Sequence, residues 1–376
     1  MPSAPELFGG FFCSPDAKAA GAHHPQEKSM IIVTRPGVTE DELDHIRERV
    51  EALGLRTHLS RGEVRTIIGC IGDEEILTTV PLLSIPGVES VHPVLKPFKM
   101  ASREFTARET RIPFGTTELG GNEVVVVAGP CSVEGADMLR ETAQAVRAAG
   151  GRGIRGGAFK PRSSPYSFQG KGEEGLELLA AVRAETGLPV VTEVMDTRQV
   201  ELVAAYADIL QIGARNMQNY SLLSEVGRVQ RPVLLKRGMA ATIKDLLLSA
   251  EYIMKQGNMQ VILCERGIRT FETATRNTFD VAAIPVLKKE THLPVMADPS
   301  HGGGRRDLVA ALSFAAIAAG ADGLLVETHP DPENALSDGD QSLSLDEFGD
   351  FMKALRPFVQ AAGRKLAETV EPVVAD

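Results

Sequence analysis

Eight reactive or charged residues occupy one recurring place in this sequence: just beyond, or at the end of, a short buried apolar run. They are Cys131, Lys160, Glu193, Arg215, Lys236, Arg266, His301 and Glu327. Two chemistries can be assembled from them and their neighbours. Cys131, His301 and Glu327, joined by Asp338, offer one thiolate, one imidazole and two carboxylates. That donor set suits one divalent transition ion per subunit, Mn²⁺, Fe²⁺, Co²⁺ or Zn²⁺, whereas Mg²⁺ alone would not select sulfur. The alternative is a packed thiol, a helix-capping histidine and solvated acids, and Cys264, inside an apolar run, is expected to be such a packed thiol. Arg155, Lys160, Arg215, Lys236 and Arg266 bring five cations to the same place in a chain of net charge −10. Charge-assisted contacts to phosphate and carboxylate oxygens are what such a cluster suits. Surface salt bridges are the competing account, and for Arg237 and Arg269 taken singly both stay open. The loop from Lys160 through Pro161, Arg162, Ser163 and Ser164 to Gly170 adds donors for a second phosphate, its freedom limited by Pro161 and Pro165.

The elements that must position these residues are short. The apolar runs fall at Val124–Ala128, Gly153–Ala158, Pro189–Glu193, Asp208–Ile212, Pro232–Lys236, Gln260–Cys264, Pro294–Ala297 and Gly323–Glu327. Spacings of roughly 20–35 residues suit a strand, a helix and two loops each time. Eight such units predict a (β/α)8 TIM barrel, whose active site forms at the C-terminal ends of its strands. No Gly-x-Gly-x-x-Gly follows the first run, which argues against a dinucleotide-binding sheet. A hairpin is expected at Arg111–Gly121 and a closing helix at about Leu343–Leu366.

Ahead of the barrel, residues 30–100 read as a small α+β domain. Met30–Thr34 is a strand, and Thr39 with Glu42 forms a capping box opening a helix with Leu43, Ile46, Val50 and Leu53 on one face. Leu55–Ser60 and Val64–Ile71 read as a hairpin, then a Pro81-interrupted helical stretch and a strand at Val88–Val94. That βαββαβ order is the ferredoxin-like unit. Residues 1–29 read as a flexible arm, where His23 and His24 are ordinary linker; Met100–Thr106 reads as a linker, 107–366 as the catalytic barrel and 367–376 as a tail.

Composition removes several functional classes. With 40 basic and 50 acidic side chains, 43% apolar and 24% charged residues, the chain resembles an ordinary globular protein rather than a binder of nucleic acid or anionic membranes. No apolar run reaches the ~18–20 residues of a membrane span. Four cysteines (Cys13, Cys70, Cys131, Cys264) lie far apart, which fits a reducing cytoplasm.

Five motifs carry a resemblance: Ala128-Gly129-Pro130-Cys131-Ser132, Lys160-Pro161-Arg162-Ser163-Ser164, Gln211-Ile212-Gly213-Ala214-Arg215, Asp298-Pro299-Ser300-His301, and the run from His329-Pro330 to Ala335-Leu336-Ser337-Asp338-Gly339. In order, and across about residues 30–365, the sequence resembles the 3-deoxy-D-arabino-heptulosonate 7-phosphate synthases, in the short subgroup with an N-terminal ferredoxin-like regulatory domain. Ser163 departs from the commoner Thr but keeps the hydroxyl. The resemblance implies condensation of phosphoenolpyruvate with D-erythrose 4-phosphate and water at the head of the shikimate pathway. It assigns Arg155, Lys160, Arg215, Lys236 and Arg266 to phosphoenolpyruvate, Arg162 and Ser163 to the aldose phosphate, and Cys131, His301, Glu327 and Asp338 to the metal. Lys160 is then the candidate proton donor. A homotetramer and feedback by tyrosine or phenylalanine are implied too, with His58 and Ser60 as effector contacts; a plain exposed strand residue is the alternative for His58. Two rivals remain: 3-deoxy-D-manno-octulosonate 8-phosphate synthase, whose loop usually has Lys-Ala-Asn-Arg-Ser, and a non-catalytic amino-acid sensor on a barrel scaffold.

Overall fold

The computed structural model describes residues 28–62, 65–72, 81–93, 97–106, 108–161, 164 and 166–367. Its contacts divide the chain between Lys96 and Pro97.

In the first unit, β1 (Lys28–Thr34), α1 (Glu40–Glu51), β2 (Arg56–Arg61), β3 (Thr66–Gly72) and β4 (Val88–Pro93) form an antiparallel sheet in the order β2-β3-β1-β4. Helix α1 starts where the side chains of Thr39 and Glu42 each accept from the other residue's backbone N–H, the expected capping box. Its buried Leu43, Ile46 and Val50 pack with Ile32, Ile68, Cys70 and Leu82, each such burial contributing about 1.5–3 kcal/mol. Of the second helical stretch, residues 73–80 lie outside the described residues, and Leu82–Ser84 is a single 3-10 turn.

The second unit begins with a hairpin, β5 (Ile112–Phe114) and β6 (Thr117–Leu119). Eight parallel strands follow: β7 (Glu123–Gly129), β8 (Gly153–Arg155), β9 (Val190–Glu193), β10 (Ile209–Ile212), β11 (Val233–Lys236), β12 (Val261–Glu265), β13 (Val295–Ala297) and β14 (Gly323–Glu327). Each pairs with the next, and β14 pairs back to β7, so the sheet closes into a barrel. Alternation along the strands makes two cores. Val125, Val127, Val191, Leu234, Ile262, Cys264 and Leu325 form one with Ile112, Phe114 and Leu119 of the hairpin. Cys264 is the packed thiol expected. Val124, Val126, Ala128 and their counterparts pack with residues of the helices, which are α2 (Ala136–Ala148), α3 (Glu173–Thr186), α4 (Val200–Tyr206), α5 (Tyr220–Val226), α6 (Ile243–Met254), α7 (Ala283–Glu290), a one-turn α8 (Pro299–Gly303), α9 (Val309–Ala318) and α10 (Leu345–Ala361).

Strand ends shift by one or two residues, so that β1 already begins at Lys28, and three boundaries differ by more. Strand β8 stops at Arg155, because residues 156–158 leave the sheet to meet the loop after β7: Gly157 N donates to Cys131 O and Val133 N to Gly157 O. A side chain at Gly157 would stand 2.9 Å from Cys131 O, so only glycine permits this approach. The closing helix ends at Ala361; Gly363, with φ 72°, turns the chain so that β15 (Lys365–Leu366) pairs with the start of β7. Met100–Thr106 is not a free linker. Ala101 N donates to Glu251 Oε1 at 2.7 Å, Arg103 N to Glu290 O at 2.9 Å, and Ser102 bridges Thr291, which pins this stretch to the barrel.

Candidate active site

The strand ends bring the expected residues to one mouth. Arg155, Lys160, Arg215, Lys236, Arg266, His301 and Asp338 line a single cavity of about 350 Å³. Pro161, Ser164 and Ser167 of the loop after β8 also line it, while Arg162 and Ser163 lie outside the described residues. His58 and Ser60 are exposed positions of β2 in the first unit, paired with Gly69 and Ile67 of β3.

Where His301 and Asp338 line the cavity, the metal-ligating types converge, with Cys131 and Glu327 buried behind them. Ligand atoms of Cys131, Glu327 and Asp338 lie within 4.8 Å of one another, and His301 Nε2 is 3.6 Å from Glu327 Oε1. Asp298 faces the other ring nitrogen: its Oδ2 is 2.8 Å from His301 Nδ1, though off the line of a hydrogen bond. Asp298 in turn accepts from Lys236 Nζ at 2.5 Å. A carboxylate beside Nδ1, with Nε2 turned toward other ligands, is the environment that metal-binding histidines favour. Burial favours the neutral ring, the form that binds metal, and lowers the His301 pKa. The sulfur and two carboxylates that converge suit a divalent transition ion, and His301 stands beside Glu327 but outside that group of three.

Each anionic ligand has a cation of its own. Lys160 Nζ is 3.0 Å from Cys131 Sγ, Arg155 Nη1 is 2.7 Å from Glu327 Oε1, and Arg276 Nη1 is 3.0 Å from Asp338 Oδ1. Burial pushes the Cys131 thiol up to about 12, Glu327 adds to the rise, and Lys160 opposes it. Burial works against the Asp338 carboxylate as well, but a hydrogen bond from Cys131 and the charge of Arg276 help hold it well below the usual range.

Elsewhere around the cavity positive charge is left over. Arg215 and Arg269 have no carboxylate partner among the described residues. Arg266 is buried, and its Nη1 reaches only Gly267 O at 3.5 Å; burial lowers its pKa. A cavity walled by such groups favours an anion that can take all of them at once. Arg237 plays no part in this: it is locked between Glu265 Oε2 and Asp280 Oδ2, both at 2.8 Å, away from the cavity. Arg269 does line the wall.

Sequence reasoning gave no role to Asp298, Arg276 or Gln341. Asp298 stood in a motif that was read for His301. Arg276 lies on residues 266–282, the connection between β12 and α7, whose length without a helix or strand of its own was the available signal.

A closed barrel whose mouth pairs a metal-ligand cluster with unneutralised guanidinium groups belongs to the class of barrel enzymes that act on small phosphorylated substrates. Within that class the chain belongs to the DAHP synthetase I family, whose model matches residues 105–361; that of the DAHP synthase ferredoxin-like domain matches residues 30–96. It is 52% identical over 337 residues to a phospho-2-dehydro-3-deoxyheptonate aldolase of Thermotoga maritima, covering 90% of this chain and 100% of the relative. A crystal structure of a DAHP synthase from Thermotoga maritima superposes with a TM-score of 0.86 at 51% identity, over 90% of this chain and 100% of that one. A 2-dehydro-3-deoxyphosphooctonate aldolase of Syntrophobacter fumaroxidans is 35% identical over 255 residues, 63% of this chain and 88% of that relative.

Proposed function

We propose that the chain condenses phosphoenolpyruvate with D-erythrose 4-phosphate and water, giving 3-deoxy-D-arabino-heptulosonate 7-phosphate and inorganic phosphate, the first step of the shikimate pathway. The observation that carries this reading is the cavity lined by Asp338, His301 and the unneutralised Arg215, Arg266 and Arg269, with buried Cys131 and Glu327 clustered on Asp338. Membership of the family and the full-length match to the Thermotoga maritima relative support it.

Arg155, Lys160, Arg215, Lys236 and Arg266 hold the carboxylate and phosphate of phosphoenolpyruvate, so that its enol carbon faces the second substrate. Arg162 and Ser163 hold the phosphate of the aldose. Cys131, His301, Glu327 and Asp338 would hold one divalent ion, Mn²⁺, Fe²⁺, Co²⁺ or Zn²⁺, which when bound supplies Lewis-acid polarisation of the aldehyde carbonyl. Carbon–carbon bond formation leaves negative charge on the former aldehyde oxygen, and Lys160 Nζ delivers the proton that neutralises it. Water adds at the former C2 and phosphate departs by C–O cleavage. The fixed guanidinium groups stabilise anionic charge throughout without having to reorganise.

The small domain binds an aromatic amino acid, tyrosine or phenylalanine, through His58 and Ser60, and the working assembly is a cytoplasmic homotetramer. Among the described residues no helix is long and apolar enough to cross a membrane.

The test is loss of phosphoenolpyruvate by the purified, metal-supplemented protein with D-erythrose 4-phosphate, then with D-arabinose 5-phosphate. Turnover with the four-carbon aldose is expected. Turnover with the five-carbon aldose alone would transfer the chain to the octulosonate reaction, which the Lys160-Pro161-Arg162 loop disfavours. No turnover with either would leave the sensor reading.

A further inference from the structure

Both carboxylates of the metal cluster are tied to one arginine that arrives from elsewhere in the chain. Arg276 Nη1 donates to Asp338 Oδ1 and to Gln341 Oε1, each at 3.0 Å, and Gln341 Nε2 donates to Glu327 Oε2 at 2.5 Å. The polarity of this chain of bonds is fixed by chemistry. A guanidinium has no acceptor, so it takes the carbonyl end of the Gln341 amide and leaves the NH₂ end for Glu327. The amide therefore cannot flip without losing both partners.

The backbone around Gln341 is shaped to the same end. Asp338 opens the single 3-10 turn Gly339–Gln341, and it is the one non-glycine residue with positive φ (52°) among the described residues. That conformation is disfavoured for a residue with a Cβ and persists only where the surroundings determine it. Next to it, a Cβ at Gly339 would meet Pro332 O at 2.0 Å. The tight turn presents the Asp338 carboxylate and the Gln341 amide side by side, and Arg276 clamps the two. Glu327 is then held from both sides, by Arg155 on Oε1 and by Gln341 on Oε2.

We propose that Arg276 and Gln341 are positioning residues: a relay that sets the orientation of Asp338 and Glu327 and so the affinity and geometry of the metal site, an inference that rests on the metal reading above. The relay touches neither the sulfur nor the imidazole of the cluster. Its loss should loosen the two oxygen ligands and leave the soft ones in place.

Co²⁺ is the probe, because its visible bands report coordination geometry and its near-ultraviolet band reports the thiolate. Gln341→Met and Arg276→Met should each weaken Co²⁺ binding about 10- to 100-fold and change the visible bands while keeping the thiolate band. Arg276→Lys keeps the charge but cannot present the same planar fork, and should fall between. Because Arg276 and Gln341 each hold one carboxylate and are bonded to each other, the double variant should bind more weakly than either single one but by less than the two effects added. At saturating metal, Gln341→Met should keep the KM for phosphoenolpyruvate, since Gln341 is not part of the cavity wall. Circular dichroism and Tm identify any variant that fails to fold, and the lysine variant is the fallback. Folded variants with the Co²⁺ affinity and spectrum of the parent chain would overturn the relay and leave the metal reading standing. A parent chain that takes up no Co²⁺ would overturn both.

Discussion

Lys160 Nζ stands 3.0 Å from Cys131 Sγ and 3.0 Å from the carbonyl oxygen of the same cysteine. The residue proposed to move a proton is therefore anchored to the strand end that supplies the sulfur ligand. Burial works against the Lys160 ammonium, but Cys131, Glu327 and Glu193 outweigh it and raise its pKa above the ordinary lysine value.

Lys160→Met should leave metal content unchanged and lower kcat by about 10²- to 10⁴-fold, the range for loss of a general acid. Metal analysis alongside steady-state kinetics checks it. A variant that lost its metal in proportion to its activity would make Lys160 a support for Cys131 instead.

Cys131→Ala and His301→Ala should abolish turnover and sharply reduce bound metal, since removing sulfur also removes selectivity against harder ions. Dialysis against a chelator should inactivate the parent chain, and Mn²⁺ or Co²⁺ should restore it. Full activity in chelator with no detectable metal would rule out the proposed role of the cluster.

The start of α6 gives a pH-dependent prediction. Asp245 Oδ2 accepts from Thr242 N at 2.9 Å and from Thr242 Oγ1 at 2.7 Å, and these bonds hold its carboxyl below the ordinary value. The folded chain thus favours the carboxylate. That stabilisation is present above the unfolded pKa of about 3.9 and is lost as pH falls through the folded value. Asp245→Asn should lower Tm at about pH 7, with the deficit shrinking toward the parent chain as pH falls below the unfolded pKa and through the folded one. Thr242→Ala, which removes the cap's acceptor at any pH, should cost about 1 kcal/mol throughout. A Tm deficit of Asp245→Asn that did not shrink in acid would show that charge is not its cause.

Cutting before Pro97 should preserve catalysis and remove inhibition by tyrosine or phenylalanine. The barrel has its own cores, which share no residue with that of the small domain, and every residue lining the cavity lies at or beyond Arg155. Kinetics of the shortened chain with and without each amino acid decide it. Retained inhibition would put the effector site on the barrel.

What could be read from sequence followed local pattern. The eight strands were legible because each is a short apolar run, and Cys131, Lys160, Lys236 and Glu327 because they end or directly follow such runs. The capping box of α1 was legible because Thr39 and Glu42 are three residues apart. Gly156 and Gly157 looked like a continuation of β8, because what ends the strand is the close approach of Cys131 O from another loop. The end of α10 was missed for a similar reason: Lys365 and Leu366 fit a helix by type, and only pairing with β7 makes them a strand. Arg276 could not be assigned, since its partners Asp338 and Gln341 are more than sixty residues away.

The closure of β14 and β15 onto β7 has a consequence for how the chain is made. A ribosome releases β7 with its run Val124–Val127, and β8 follows soon after to cover one edge. The other edge waits for β14 and β15, which emerge roughly 200–240 residues later, on the order of tens of seconds at about 5–20 residues per second. For that interval a charge-free, β-branched strand edge stands open to any neighbouring nascent chain. The open edge of the first barrel strand therefore waits longest of all the barrel edges for its partner.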